Sequence, residues 1–234
     1  MTRLLNRLLN IHKKGAARSP LQDRLRTYPP YEAPGTGPAK ALSEAQVHAN
    51  LAYLLAHRTQ RIEALASLVR ADADLDLVAL LEGPAGPQVD ELTHRLFEWA
   101  KARWPALPKP RPFPCVWEIT QRSHDEGLIY AMLMDVAIVL GECVVRKAPD
   151  WRWDVDLLAD RQLRELTTSG RVVLMADPVG QATEPYIMDV ESAVFSLYKD
   201  AGNEALTALN EWQDLVCEAI SGAHQAWHRA QARK

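Results

Sequence analysis

The sequence predicts an α+β fold, predominantly helical, with a small antiparallel sheet in the C-terminal half. Three observations predict it. Apolar residues recur at helical spacing through residues 43–104, and an almost wholly apolar helical run follows Ser123. Residues 151–187 then switch to short apolar runs broken by Asp, Pro and Gly, as strands joined by turns do.

Taken in order, residues 2–14 place Leu4, Leu5, Leu8, Leu9 and His12 on one stripe of a short amphipathic helix, with Arg3, Arg7 and Lys14 towards the other side. Such a helix is marginal alone in water and requires a dock. From Gly15 to Lys40, five prolines and two further glycines make an extended arm. Ser43 with Gln46 forms a capping box that opens a helix to about Ala71. Its buried stripe is Val47, Leu51, Leu54, Leu55, Ile62, Leu65, Leu68 and Val69. Asp72 or Asp74 then caps a short helix through Leu75, Val78 and Leu81, and Pro87 opens another that reaches Trp104.

Pro105 to Pro114 carries five prolines and reads as a rigid spacer. After it come a short strand at Cys115–Thr120, a second capping box at Ser123 and Glu126, and a helix apolar nearly all round from Leu128 to Val145. Strands are expected at Arg171–Ala176 and Pro185–Ile187, and two helices close the chain, the second capped by Asn203. The organisation is therefore an arm at 1–40, a helical region at 41–104, a spacer at 105–114 and an α+β region at 115–234 that can share one domain with 41–104.

Composition narrows the class. Hydrophobic residues at 47% and charged residues at 24% are ordinary globular values. Cys115, Cys143 and Cys217 lie far apart without finger-type spacing, so reduced thiols and a cytoplasmic location are expected. The apolar run Gly127–Leu140, interrupted by Asp135, is shorter than the roughly 20 residues a membrane span needs, and the N-terminus lacks the pattern of a secretory signal. Charge is unevenly spread. Residues 1–26 hold seven basic side chains and one acid, so of 27 basic and 30 acidic residues overall, 20 and 29 remain in the body. A basic arm precedes an acidic body.

Each cluster with chemical potential has an ordinary alternative. His224 and His228 have a four-residue spacing that lets two imidazoles meet one metal, yet no HExxH glutamate or third ligand accompanies them, and a solvated helix face is expected. Asp154, Asp156 and Asp160 lack the glycine and closing glutamate of a calcium loop. His124, Asp125 and Glu126 occupy a helix first turn, where acids suit the macrodipole. Asp135 and Glu142 interrupt an apolar helix, where a carboxylate requires a partner, and Arg146 stands four residues after Glu142. No hydrolase, phosphate-loop, dinucleotide or kinase signature occurs, and no cofactor is called for. The arm lacks the aromatics of a single-strand nucleic-acid binder, and the acidic body opposes phosphate.

The run from Asp135 through Gly141–Glu142, Trp151 and Trp153, Arg171–Ala176, and Met188 to Tyr198 resembles a group of small uncharacterised bacterial domains. In that group a helix ending in Gly–Glu leads to a Trp-bearing strand, a second strand and a helix, and some members resemble immunity proteins of bacterial toxin systems. The resemblance covers residues 130–200 and implies no catalytic residue. It implies a non-enzymatic protein that covers a toxin, and an acidic body suits a basic partner. Partner contact is expected at Arg3, Arg7, Lys13 and Lys14 on the arm and at Trp151, Trp153, Asp154 and Asp156 on the body. The alternatives are a subunit of a larger bacterial assembly anchored by its arm, and an enzyme using the buried acids. Contact of residues 1–14 with a membrane surface is a further alternative.

Overall fold

A computed structural model of the chain describes residues 24–25, 27–104, 128–158, 168–178, 184–199 and 212–222. The amphipathic helix at 2–14, the spacer at 105–114, the strand at Cys115–Thr120, the Ser123 capping box and the Asn203 cap lie outside the described residues.

A strap, residues 27–38, leads through a 3-10 turn (Ala39–Ala41) into α1, Glu44–Ala73. The capping box at the start of α1 is formed: Ser43 Oγ accepts the Gln46 amide, and Gln46 Oε1 accepts the Ser43 amide at 2.9 Å. The helix ends where Asp74 takes a left-handed conformation, φ 51°, with its N–H on the Arg70 carbonyl. Helix α2, Leu77–Glu82, is capped by neither Asp72 nor Asp74 but by Asp76, whose Oδ1 accepts the Val78 and Ala79 amides. Asp74 is consumed by the end of α1, and Asp72 turns sideways to Trp99 and Arg103 on α3, Pro87–Arg103. One expected core position is corrected. Leu55 is exposed at 41%, because the buried stripe of α1 is narrower than the helical period allowed, and Val78 on α2 is likewise exposed, at 42%.

Helix α4, Leu128–Lys147, is buried without a break from Leu128 to Val144 and packs against α1, α2, β1 and the two closing helices. By length and composition it is apolar enough to cross a membrane, against the expectation of a run too short to do so, yet nearly all of its most apolar window is buried within the fold. The sheet has strand order β1-β2-β3: β1 is Trp151–Val155, β2 is Val172–Ala176 and β3 is Tyr186–Met188. Both pairings are antiparallel, with Trp153 opposite Leu174 and Leu174 opposite Met188. Helix α5, Val190–Lys199, starts where Asp189 Oδ1 accepts the Ser192 amide, and α6, Trp212–Ile220, follows.

One hydrophobic core runs through α1–α6 and the sheet. Phe97 on α3 meets Trp212 on α6 edge-on, and Trp104 lies against both Trp212 and Tyr198 of α5. Rings of this size supply much of a core's stabilisation, and here they join residues before 105 to residues after 128.

Candidate functional site

The polar interior lies between α1 and α4. On α4, Asp135 and Glu142 are seven residues apart, two helical turns, and so share one face. On α1, Arg58 and Arg61 are three apart and face them. Arg61 grips Asp135 with both edges of its fork, Nε to Oδ1 at 2.7 Å and Nη2 to Oδ2 at 2.6 Å, and both side chains are buried. A planar guanidinium suits this two-point grip on a carboxylate. Arg58 Nη1 donates to Glu142 Oε1 at 3.1 Å, and the Trp153 indole N–H donates to the same oxygen at 2.9 Å. Arg146, the partner expected from sequence, is there but looser, its Nε 3.8 Å from Oε2.

The strap completes the first pair. Tyr28 donates its hydroxyl to Asp135 Oδ2 at 2.5 Å, and Arg61 extends its other N–H groups to the carbonyls of Pro30 (2.8 Å) and Pro29 (3.1 Å). The guanidinium also lies over the rings of Tyr28 and Tyr31. Further along α1, Tyr31 meets Tyr53 edge-on, and Asn50 takes both the N–H and the carbonyl of Gly35. Burial, then the charge of Asp135, pushes the Tyr28 phenol well above its ordinary range. Burial works against the charge on Arg61, but the Asp135 hydrogen bonds and charge outweigh it and hold Arg61 above its usual value.

A second buried polar group closes the far end of the sheet. Arg171 Nη1 meets Asp189 Oδ2 at 2.7 Å, with Glu191 Oε2 3.9 Å from Nη2. Asp156 is buried beside it and accepts the Thr168 hydroxyl at 2.5 Å. Burial raises the Asp189 carboxyl, opposed by Arg171 and reinforced by Asp156.

The residues singled out in the sequence fall unevenly. Arg3, Arg7, Lys13, Lys14, Asp160, His124, Asp125, Glu126, Cys115, His224 and His228 lie outside the described residues. Trp151, Trp153 and Asp156 are buried, so the expectation of a partner surface gives way at these three. For the tryptophans the reason is strand alternation: Trp151 and Trp153 share the inward face of β1, while Arg152 between them faces solvent; Asp156, just past β1, is turned in to the Thr168 hydroxyl. The Trp151 indole reaches the Ala219 carbonyl of α6. Half-buried Asp154 accepts from Arg152 and from the Val155 amide. Among the described residues no group of three or more His, Cys, Asp or Glu side chains could hold a metal. Cys143 is buried, and Cys217 is half-buried with its thiol 2.9 Å from Asp90 Oδ1.

Sequence reasoning missed Tyr28, Asn50, Arg58, Arg61, Arg171, Asp189 and Glu191. A signal existed for three of them. Asn50, Arg58 and Arg61 stand in step with Val47, Leu54, Leu65 and Leu68, polar residues on the core-facing seam of α1.

Comparison with family models, with curated proteins and with solved structures gives no match for this chain. Its polar groups hold one another: the carboxylates that looked suited to chemistry are clamped by arginines, a tyrosine and a tryptophan of the same chain.

Proposed function

We propose that this chain acts by binding another protein, without catalysis, in the manner of a bacterial immunity protein that neutralises a toxin in the cytoplasm. The observation that carries the reading is the state of Asp135, which accepts three hydrogen bonds from Arg61 and Tyr28 inside the core. A general acid or base has to reach its substrate, and this carboxylate is spent on holding α1, α4 and the strap together. Glu142 is likewise engaged, by Arg58 and Trp153. With the buried acids used in this way, the excess of 29 acidic over 20 basic residues in the body after residue 26 is the property available for recognition. An acidic surface steers a basic partner and speeds its association.

The test is capture by the full chain and by residues 24–234. The cut is set at 24 because Leu25, Tyr28 and Tyr31 belong to the core. A partner held by both chains, and associating more slowly as salt is raised, supports recognition by the acidic body. A partner lost with residues 1–23 supports instead a subunit anchored in a larger assembly by its basic arm. Turnover of a substrate that Asp135→Asn abolishes in a folded protein overturns the binding reading.

A further inference from the structure

We propose that the face of α1 beneath the strap is a groove for an extended, proline-containing peptide, and that residues 27–38 fill it as an intramolecular pseudo-ligand. The inference rests on the protein-binding reading and names the site and the class of partner. The strap is recognised chiefly through its backbone. Arg61 takes the carbonyls of Pro29 and Pro30, Tyr53 Oη accepts the Glu32 amide at 3.4 Å, and Asn50 takes both polar backbone atoms of Gly35. Backbone pairing supplies affinity to any chain of the right shape, and pockets for a few side chains supply selectivity. The selective positions here are Tyr28, whose hydroxyl reaches Asp135, and Tyr31, whose ring meets Tyr53.

The dimensions agree. From Asn50 to Arg61 a helix advances about 16 Å, and the strap keeps step with it from Pro29 and Pro30 at Arg61 to the bend at Pro34 and Gly35, where Asn50 holds it. The two run antiparallel, contact after contact, so α1 presents its polar seam as a ruler for an extended strand. Proline favours such a chain by lowering the entropy lost on docking. Gly35 is part of the fit: a Cβ there would stand 3.0 Å from Asn50 Oδ1 and 3.2 Å from Gln46 Cβ. The partner this selects is an extended segment with two tyrosines three residues apart around prolines and a small residue four further on.

The strap competes with any such segment, so apparent affinity is scaled by the fraction of molecules with the strap released. The probe is a fluorescently labelled peptide of residues 27–38, added to full-length wild type and to full-length Tyr28→Ala and Gly35→Ala variants. Each variant weakens the strap and leaves the groove intact. Anisotropy should show the peptide binding the variants at least roughly tenfold more tightly than wild type, and raising their melting temperatures with peptide concentration. Adding Asn50→Ala to Gly35→Ala should remove the gain. Equal binding to wild type and to folded variants overturns the proposal. So does failure of both variants to fold even with saturating peptide, which would make the strap inexchangeable. Either failure leaves the capture of a partner by residues 24–234 standing as a separate result.

Discussion

Trp153 occupies the space that a side chain at Gly141 would fill. A Cβ built on Gly141 would fall well inside contact distance of the Trp153 ring, 2.5 Å from Cη2. The next residue, Glu142, accepts the indole N–H. The Gly–Glu pair on α4 and the Trp on β1 are therefore one device: the glycine admits the ring, and the glutamate orients it.

Gly141→Ala should accordingly cost more than a helix-favouring change normally would. Alanine gains up to about 1 kcal/mol of helix propensity over glycine, but overpacking costs typically about 1–3 kcal/mol and at times more. A net loss of stability in urea titration is expected, with a red-shifted tryptophan emission as the ring leaves its slot. A more stable Gly141→Ala protein would show that the ring has room to move.

The Arg61–Asp135 pair should behave as a buried ion pair does. Arg61→Met leaves a buried carboxylate without its cation and should cost about 3–5 kcal/mol. Arg61→Met with Asp135→Leu should recover most of that, since the apolar surroundings then lack a lone charge. Chemical denaturation of the two single variants and the double variant gives the coupling directly. Equal losses in Arg61→Met and the double variant would contradict the pairing.

The strap should prove part of the folded unit. A chain starting at residue 41 loses the buried side chains of Leu25, Tyr28 and Tyr31 that a chain starting at residue 24 keeps. Burial of side chains this size is worth about 1.5–3 kcal/mol each. The melting temperature of residues 41–234 should fall well below that of residues 24–234, and matching values would show the strap to be dispensable.

Asp72 should make the fold acid-sensitive. Burial raises its carboxyl, but hydrogen bonds from Arg103 and Trp99 prevail and hold it below the usual value. A depressed folded value means stability present above the unfolded pKa, near 3.8, and lost as pH falls through the folded one. The stability difference between wild type and Asp72→Asn should therefore be full at neutral pH and shrink between about pH 5 and pH 2. A constant difference would place the contribution elsewhere.

The Cys143 and Cys217 thiols should resist alkylation. Burial pushes Cys143 up to about 11, and burial with the Asp90 contact pushes Cys217 up to about 12. The thiolate is the reactive form. At about pH 8, peptide mapping after iodoacetamide treatment should show both cysteines labelled far more slowly in the native protein than in urea. The same raised values mean stability that is present below the unfolded thiol pKa and lost as pH rises through the folded ones.

Much of the architecture was legible in the residues themselves. The Ser43–Gln46 capping box, the first-turn Pro87, the apolar run that became α4 and the Val172–Val173–Leu174 strand are local signals, because capping and periodicity act over a few residues. The same local logic marked Asp135 and Glu142 as carboxylates in need of partners. It misassigned the cap of α2, since Asp72, Asp74 and Asp76 are chemically equivalent in sequence and only backbone direction separates them.

What the chain determined alone was its helical seams, its turn points and the presence of two stranded acids on one face of one helix. Which groups answer them was decided by tertiary packing. Arg61 lies 74 positions from Asp135 and Tyr28 lies 107 from it, and no local rule reaches across such distances. The inward turn of Trp151 and Trp153 had the same origin. Alternation put both on one face of β1, but only the placement of α4 and α6 against that face made it the core. Low-dielectric burial makes an unmatched charge too costly to keep, so Asp135 and Glu142 are buried where Arg61 and Arg58, brought from elsewhere in the chain, meet them.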